Sequence, residues 1–312
     1  MRIVHAFLAA SILGLSPALA ADPESCKTVR LSDPGWTDIT STDSIASVLL
    51  AGLGYAPQVK TLSVPIGYQA MKDGEIDVFL GNWMPAQQKF RDDLDSAKAA
   101  DVIVQNLEGA KFTLAVPTKA AEALGVTDFK DLAGHGDAFG EKIYGIETGA
   151  PANQSLQKMI DADDFGLGKW KLVESGEQAM LAQVTRAEKS GKAIVFLAWA
   201  PHPMNTAHDL TYLSGGDAYF GPDYGGAQVY TLARTGWAAA CPNAATLFKN
   251  LVFTVDMENQ MMGKILDDGM KGESAATEWI KANPGMLDGW LAGVTTFDGQ
   301  PGLPAVKTAL GI

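Results

Sequence analysis

Cysteine is nearly absent from this chain and histidine is scarce, at 2 and 4 residues in 312. With so few soft ligands, and with no Cys-x-x-Cys or His-Glu-x-x-His spacing, a metal cluster is excluded. Positive charge is also thin: 24 Lys and Arg face 36 Asp and Glu, a formal net charge of −12. Nucleic acid and anionic membrane both demand neutralising basic groups, so neither is expected as a partner. Beyond residue 20 no apolar run is long enough to span a bilayer. Catalytic signatures are missing as well, with no Gly-x-Ser-x-Gly elbow, no phosphate-binding loop, and no nucleophile with an identifiable base. The paired carboxylates Asp92-Asp93, Asp163-Asp164 and Asp267-Asp268 fall in helical or helix-end stretches and read as solvated faces. The expectation is a protein without cofactor or metal that is not an enzyme.

What the chain does have begins at its start. Arg2, an apolar stretch over residues 3–15 and Ala18-Leu19-Ala20 before Ala21 form the pattern of a cleaved secretory signal over residues 1–20. Export would put Cys26 and Cys241 in an oxidising compartment, where a disulfide between them is expected. Cys26 lies beyond the position of a lipid-modified first residue, so the mature protein is expected free in a periplasm.

Hydrophobic periodicity alternates strand and helix. Strands are predicted over 28–31, 59–64, 76–80, 102–104, 112–116, 143–146, 171–173, 194–197, 210–213 and 229–233. Helices are predicted over 39–53, 68–73, 89–99, 152–160 and 177–188, and through most of the chain after 244. The βαβαβ spacing implies right-handed crossovers and a mostly parallel sheet. The pattern restarts after Pro117, which suggests two α/β lobes: residues 21–111 with 206–312, and residues 112–205. Two crossings between them would make a hinge, with a cleft for a ligand at the interface.

Three of the seven tryptophans share a context. Trp36, Trp83 and Trp199 each follow a short apolar run and sit beside Gly or Pro, so each indole is placed at a strand end. In open α/β sheets that edge binds ligands. Several indoles there, with the carboxylate of Asp38 among them, suggest a cage for a cation without N–H groups, because ring faces attract a quaternary ammonium directly. Asp38 has a competing role as cap of the helix that follows. The stretch from Gly145 to Asn153 reads as a strand-to-helix turn able to cradle a polar group, with Asn153 either capping the helix or meeting the ligand. Among the histidines His202 is best placed, and a structural role is expected for it.

At these residues the chain resembles the periplasmic choline-binding proteins of quaternary-amine ABC importers, relatives of the glycine-betaine-binding proteins. The resemblance covers essentially the whole mature chain. It rests on Gly35-Trp36-Thr37-Asp38, on Asp77 through Pro85 with Gly81-Asn82-Trp83-Met84-Pro85 at its end, on Met180-Leu181-Ala182-Gln183-Val184, on Pro201-His202-Pro203-Met204-Asn205 and on Tyr212-Leu213-Ser214-Gly215-Gly216. It implies a two-lobe (type II) substrate-binding fold and an aromatic box of Trp36, Trp83 and Trp199, with Asp38 as its acidic residue. The family's cystine falls on Cys26 and Cys241. Two positions depart from the family pattern: the fourth wall, commonly tyrosine, falls on Phe112, and the asparagine that meets the choline hydroxyl falls on Ala150. The resemblance further implies a monomer that delivers its ligand to an inner-membrane ABC permease driven by a separate ATPase.

Overall fold

The structure, a computed structural model, describes residues 21–312, so the predicted secretory signal lies outside the described residues. Nine strands form one curled sheet: β1 (Thr28–Asp33), β2 (Ala56–Thr61), β3 (Val78–Met84), β4 (Ala100–Pro117), β5 (Lys142–Tyr144), β6 (Lys171–Val173), β7 (Val195–Ala200), β8 (Leu210–Tyr212) and β9 (Gly226–Arg234). Their order is β2-β1-β3-β9-β4-β7-β5-β6, with β8 on the end of β4. β1 pairs in parallel with β2 and β3, and β5 with β6 and β7. The middle of the sheet is antiparallel, because β9 returns against β3 and β4, and β7 and β8 against β4. The sheet is therefore mixed where a mostly parallel one was expected. Apolar strands such as Val195–Ala200 are buried throughout by helices on both faces, as α/β packing requires.

β4 organises the molecule. The two strands predicted at 102–104 and 112–116 are parts of one strand of 18 residues. Register shifts between Val102 and Val104, Gln105 and Leu107, and Leu107 and Ala110 bend it. Its first half pairs with β9 and its second with β7, and Lys111 belongs to both ladders, opposite Gly226 and Ala200. One part of the sheet thus contains β2, β1, β3 and β9, the other β7, β5, β6 and β8, and β4 runs through both. Just before β9, Gly225 (φ 73°) packs so close to β4 that a Cβ there would stand 1.8 Å from the carbonyl oxygen of Phe112. Only glycine fits this contact.

One boundary moves relative to expectation. The strand predicted over 59–64 stops at Thr61, because Val64-Pro65 opens the helix Val64–Lys72 and proline suits its first turn. β8 adds to the second half of β4, and Phe220 packs edge-on against Phe129 at 5.8 Å. Cys26 and Cys241 are bonded with Cα atoms 5.7 Å apart, which ties the start of β1 to the C-terminal helices. No helix among the described residues is long and apolar enough to cross a membrane.

Candidate ligand-binding site

β1 ends at Asp33, whose carboxylate accepts from the Gly35 N–H and the Thr40 hydroxyl, each at 2.7 Å. These bonds turn the chain into the helix Thr37–Gly52, with Trp36 as its N-cap residue. Trp83 is the next-to-last residue of β3 and Trp199 of β7, and each is followed one residue later by a cis-proline bond, Met84-Pro85 and Ala200-Pro201. Phe112 stands directly opposite Trp199 in the β4–β7 ladder, so the two rings leave the same face of the sheet. Phe112 also meets Trp83 edge-on at 6.3 Å and is backed by Phe220 at 5.6 Å.

Trp36, Asp38, Trp83, Phe112 and Trp199 converge on one cavity of about 40 Å³. Five smaller side chains complete its lining: Ile146, Pro151 and Ala152 from the stretch expected to cradle a ligand, and Ala86 and Leu197, which the sequence did not point to. No pattern marks Ala86 and Leu197, which are ordinary apolar residues. Asp38 supplies the only charge in the lining, and its charge is negative. Asp38 is the second residue of its helix and not the cap. Its Oδ2 accepts from the indole N–H of Trp83 at 3.0 Å, while Oδ1 is buried without a partner. Burial, reinforced by the charge of Glu177, pushes its carboxyl up to about 8 against the opposing Trp83 hydrogen bond. A cation in the cavity would reverse that shift, since it favours the ionised form.

Carboxylates also surround the cavity from behind its walls. The Trp36 indole N–H donates to both oxygens of Glu147, at 2.9 and 3.0 Å. Burial raises the Glu147 carboxyl, and this hydrogen bond works against the rise. Glu177, the first residue of the helix Glu177–Lys189, accepts from the backbone N–H and the hydroxyl of Thr37, at 3.0 and 2.5 Å. Its Oε1 also meets Nε2 of His202 at 3.2 Å. Sequence reasoning missed Glu177, because a glutamate in the first turn of a helix is common and unremarkable. The structural role expected for His202 matches its burial between Glu177 and Trp199.

Two predicted contacts lie elsewhere. Ala150 is the N-cap residue of the helix Pro151–Asp161 and does not line the cavity. Asn153 neither caps that helix nor lines the cavity. Its Oδ1 accepts from the Ile146 N–H, and its Nδ2 donates to the carbonyls of Ile146 and Glu147 and to Glu174. Its amide closes the turn. Gly145 is part of the same device, since a Cβ there would stand 2.3 Å from Asn153 Oδ1. Among the described residues no cluster of His, Cys, Asp and Glu could hold a metal ion.

Comparison with known proteins places this geometry. Residues 27–282 match the model of the substrate-binding domain of ABC-type glycine betaine transport systems. An ABC-transporter choline-binding protein solved in complex with choline is 53% identical, covers 93% of this chain and 100% of its own, and superposes with a TM-score of 0.91. The same type of protein in an unliganded, semi-closed conformation, also 53% identical with the same coverage, gives 0.85. The glycine betaine/carnitine transport binding protein GbuC of Listeria monocytogenes serotype 1/2a (strain 10403S) is 31% identical over 171 residues, 55% of each chain.

Proposed function

We propose a ligand and a mode of capture on one premise: the chain belongs to the substrate-binding domains of ABC-type glycine betaine transport systems. Members of this family are two-lobe extracytoplasmic binding proteins that serve a transporter. The reading here is that this one captures choline between its lobes in a cage of Trp36, Trp83, Trp199 and Phe112, with Asp38 as counter-charge. It holds choline without turning it over, acts as a monomer in the periplasm, and hands its cargo to an inner-membrane permease driven by a separate ATPase. Lobe I would comprise residues 21–111 and the chain after the second crossing, lobe II the residues between. We set that second crossing within 221–226.

One observation carries the reading: four aromatic rings and a single carboxylate with a free oxygen converge on one apolar cavity. Aromatic faces attract an onium head, and no basic group stands in the lining to oppose it. Desolvated cation–π contacts contribute about 2 kcal/mol each, so three or four supply roughly 6–8 kcal/mol. Micromolar binding needs about 8 kcal/mol beyond the cost of association, so Asp38 and lobe closure provide the surplus. Choline is favoured over glycine betaine because the carboxylate of a zwitterion would face Asp38, with Glu147 behind the wall. The choline complex of the 53% identical relative supports the same choice.

The test is a titration of purified protein with choline, glycine betaine, carnitine and trimethylamine N-oxide, followed by tryptophan fluorescence and calorimetry. Choline should bind reversibly at one site with micromolar affinity and at least tenfold more tightly than betaine. Failure of all four to bind below millimolar concentration removes the cage; turnover of choline on prolonged incubation removes the carrier.

A further inference from the structure

The two sides of the cage are connected by a chain of contacts that never touches the cavity. Thr37 lies between Trp36 and Asp38, in the part of the sheet that contains β1 and β3. Its backbone N–H and hydroxyl both donate to Glu177, which comes from the other part, on the helix between β6 and β7. Glu177 in turn faces His202 at 3.2 Å, and the His202 ring stands edge-on to Trp199 at 4.8 Å. The imidazole cannot swing, because the backbone N–H of Met204 donates to its Nδ1 at 2.9 Å. That bond makes Nδ1 the acceptor and leaves the ring proton on Nε2, directed at Glu177. Every member of the chain is buried.

We propose that Glu177 is a positioning residue of the binding site, a latch that holds the Trp36–Asp38 side of the cage at a fixed distance from the Trp199 side when the lobes are together. The proposal rests on the reading of the cavity as a ligand cage. It follows from where the acceptor atoms lie. The unpaired N–H groups at a helix start need acceptors, and here the acceptor is supplied across the cleft and not from the helix itself. Separation of the lobes strips Thr37 of both its partners, so the latch forms only on closure. An interaction made only in the closed state slows escape of the ligand and leaves its entry unaffected. Glu177 therefore sets residence time.

The test uses the full-length mature protein and choline as probe. Stopped-flow tryptophan fluorescence gives kon and koff for the parent, Glu177→Ala, Glu177→Gln, Thr37→Val and, as a control on the same helix, the exposed Glu188→Gln, whose partner is His208. The latch requires koff to rise about tenfold or more in Glu177→Ala with kon within twofold, since changes in a preformed interface act through dissociation. Glu177→Gln, which keeps one acceptor for Thr37, should fall between, Thr37→Val should raise koff by a smaller factor, and Glu188→Gln should match the parent. Unchanged koff in both Glu177→Gln and Thr37→Val, or a loss confined to kon, overturns the proposal even if Glu177→Ala fails to fold. If the parent binds no onium compound at all, the functional reading falls and the latch is decided by amide exchange. Slow exchange at Thr37 that accelerates at least tenfold in Glu177→Gln upholds it, and equal rates remove it.

Discussion

Trp83 donates its indole N–H to Oδ2 of Asp38 across 3.0 Å, which joins the end of β3 to the first turn of the helix Thr37–Gly52. A wall of the cavity and the carboxylate in its lining are thus one unit. The bond occupies one oxygen of Asp38 and leaves the other, without a partner, beside the cavity.

Trp83→Phe separates the ring from the hydrogen bond. It keeps an aromatic face and leaves Asp38 without its donor, so choline affinity measured by calorimetry should fall by about tenfold to a hundredfold, or ~1.5–3 kcal/mol for a lost bond to a charged group. Trp83→Ala should abolish binding and also lower the melting temperature, because the ring is buried against Phe112. Equal affinity in Trp83→Phe and the parent would show that the Asp38 contact contributes nothing to capture.

The elevated Asp38 carboxyl makes binding depend on pH. Its value of about 8 means that the empty site holds a proton at neutral pH, and a bound cation expels it. Affinity should therefore strengthen as pH rises toward about 8 and level off above it. Calorimetry at pH 7 in two buffers of different ionisation enthalpy should reveal release of about one proton per choline; identical heats would contradict this.

The same shift carries a stability cost of defined sign. The folded-state value lies above the ordinary 3.8, so the ligand-free fold binds a proton that the unfolded chain has lost. Stability from this group is complete below about pH 4 and declines as pH rises to about 8, by at most ~1.4 kcal/mol per pH unit. Asp38→Asn should flatten that part of the pH–stability curve in urea titrations while weakening choline binding at least tenfold.

Asn153→Ala tests the turn instead of the ligand. It leaves the N–H and carbonyl of Ile146 without their side-chain partner in a buried setting, at a cost of about 2–3 kcal/mol. The choline-to-betaine preference of the folded fraction should not change. A change in preference would return Asn153 to the site.

Replacing both Cys26 and Cys241 by serine should lower stability without affecting affinity beyond twofold. The bridge closes a separation of 215 residues, for which chain entropy gives on the order of 5 kcal/mol. The realised loss should be smaller, because Asp22 fastens the same junction through the backbone N–H groups of Asn243 and Ala244 and the Tyr55 hydroxyl. Urea denaturation with and without the bridge measures it.

Much of this arrangement was legible in the sequence because it is local. The strand at 171–173 coincides with β6, and the helix at 177–188 lies within one residue of Glu177–Lys189. The three tryptophans stood out by their neighbours, and Phe112 by resemblance. What the sequence concealed is long-range. β4 reads as two strands because the bulged stretch around Glu108-Gly109 interrupts its apolar pattern, yet its backbone continues in the ladder with β9. Phe220 packs against Phe129, and nothing near either residue announces that pairing. Glu177 and Glu147 act across the cleft on residues 140 and 111 positions away, beyond the reach of any spacing rule.

The bond between Trp36 and Glu147 spans the same cleft, and its effect reaches the ring. An indole whose N–H is drawn toward a carboxylate carries a richer π face, so on the proposed reading Glu147 would act on the cargo through the tryptophan without touching it. On that reading, separation of the lobes would take the carboxylate from the indole and weaken its face at the moment of handover. A carrier must release as readily as it captures, and here grip and geometry share one control.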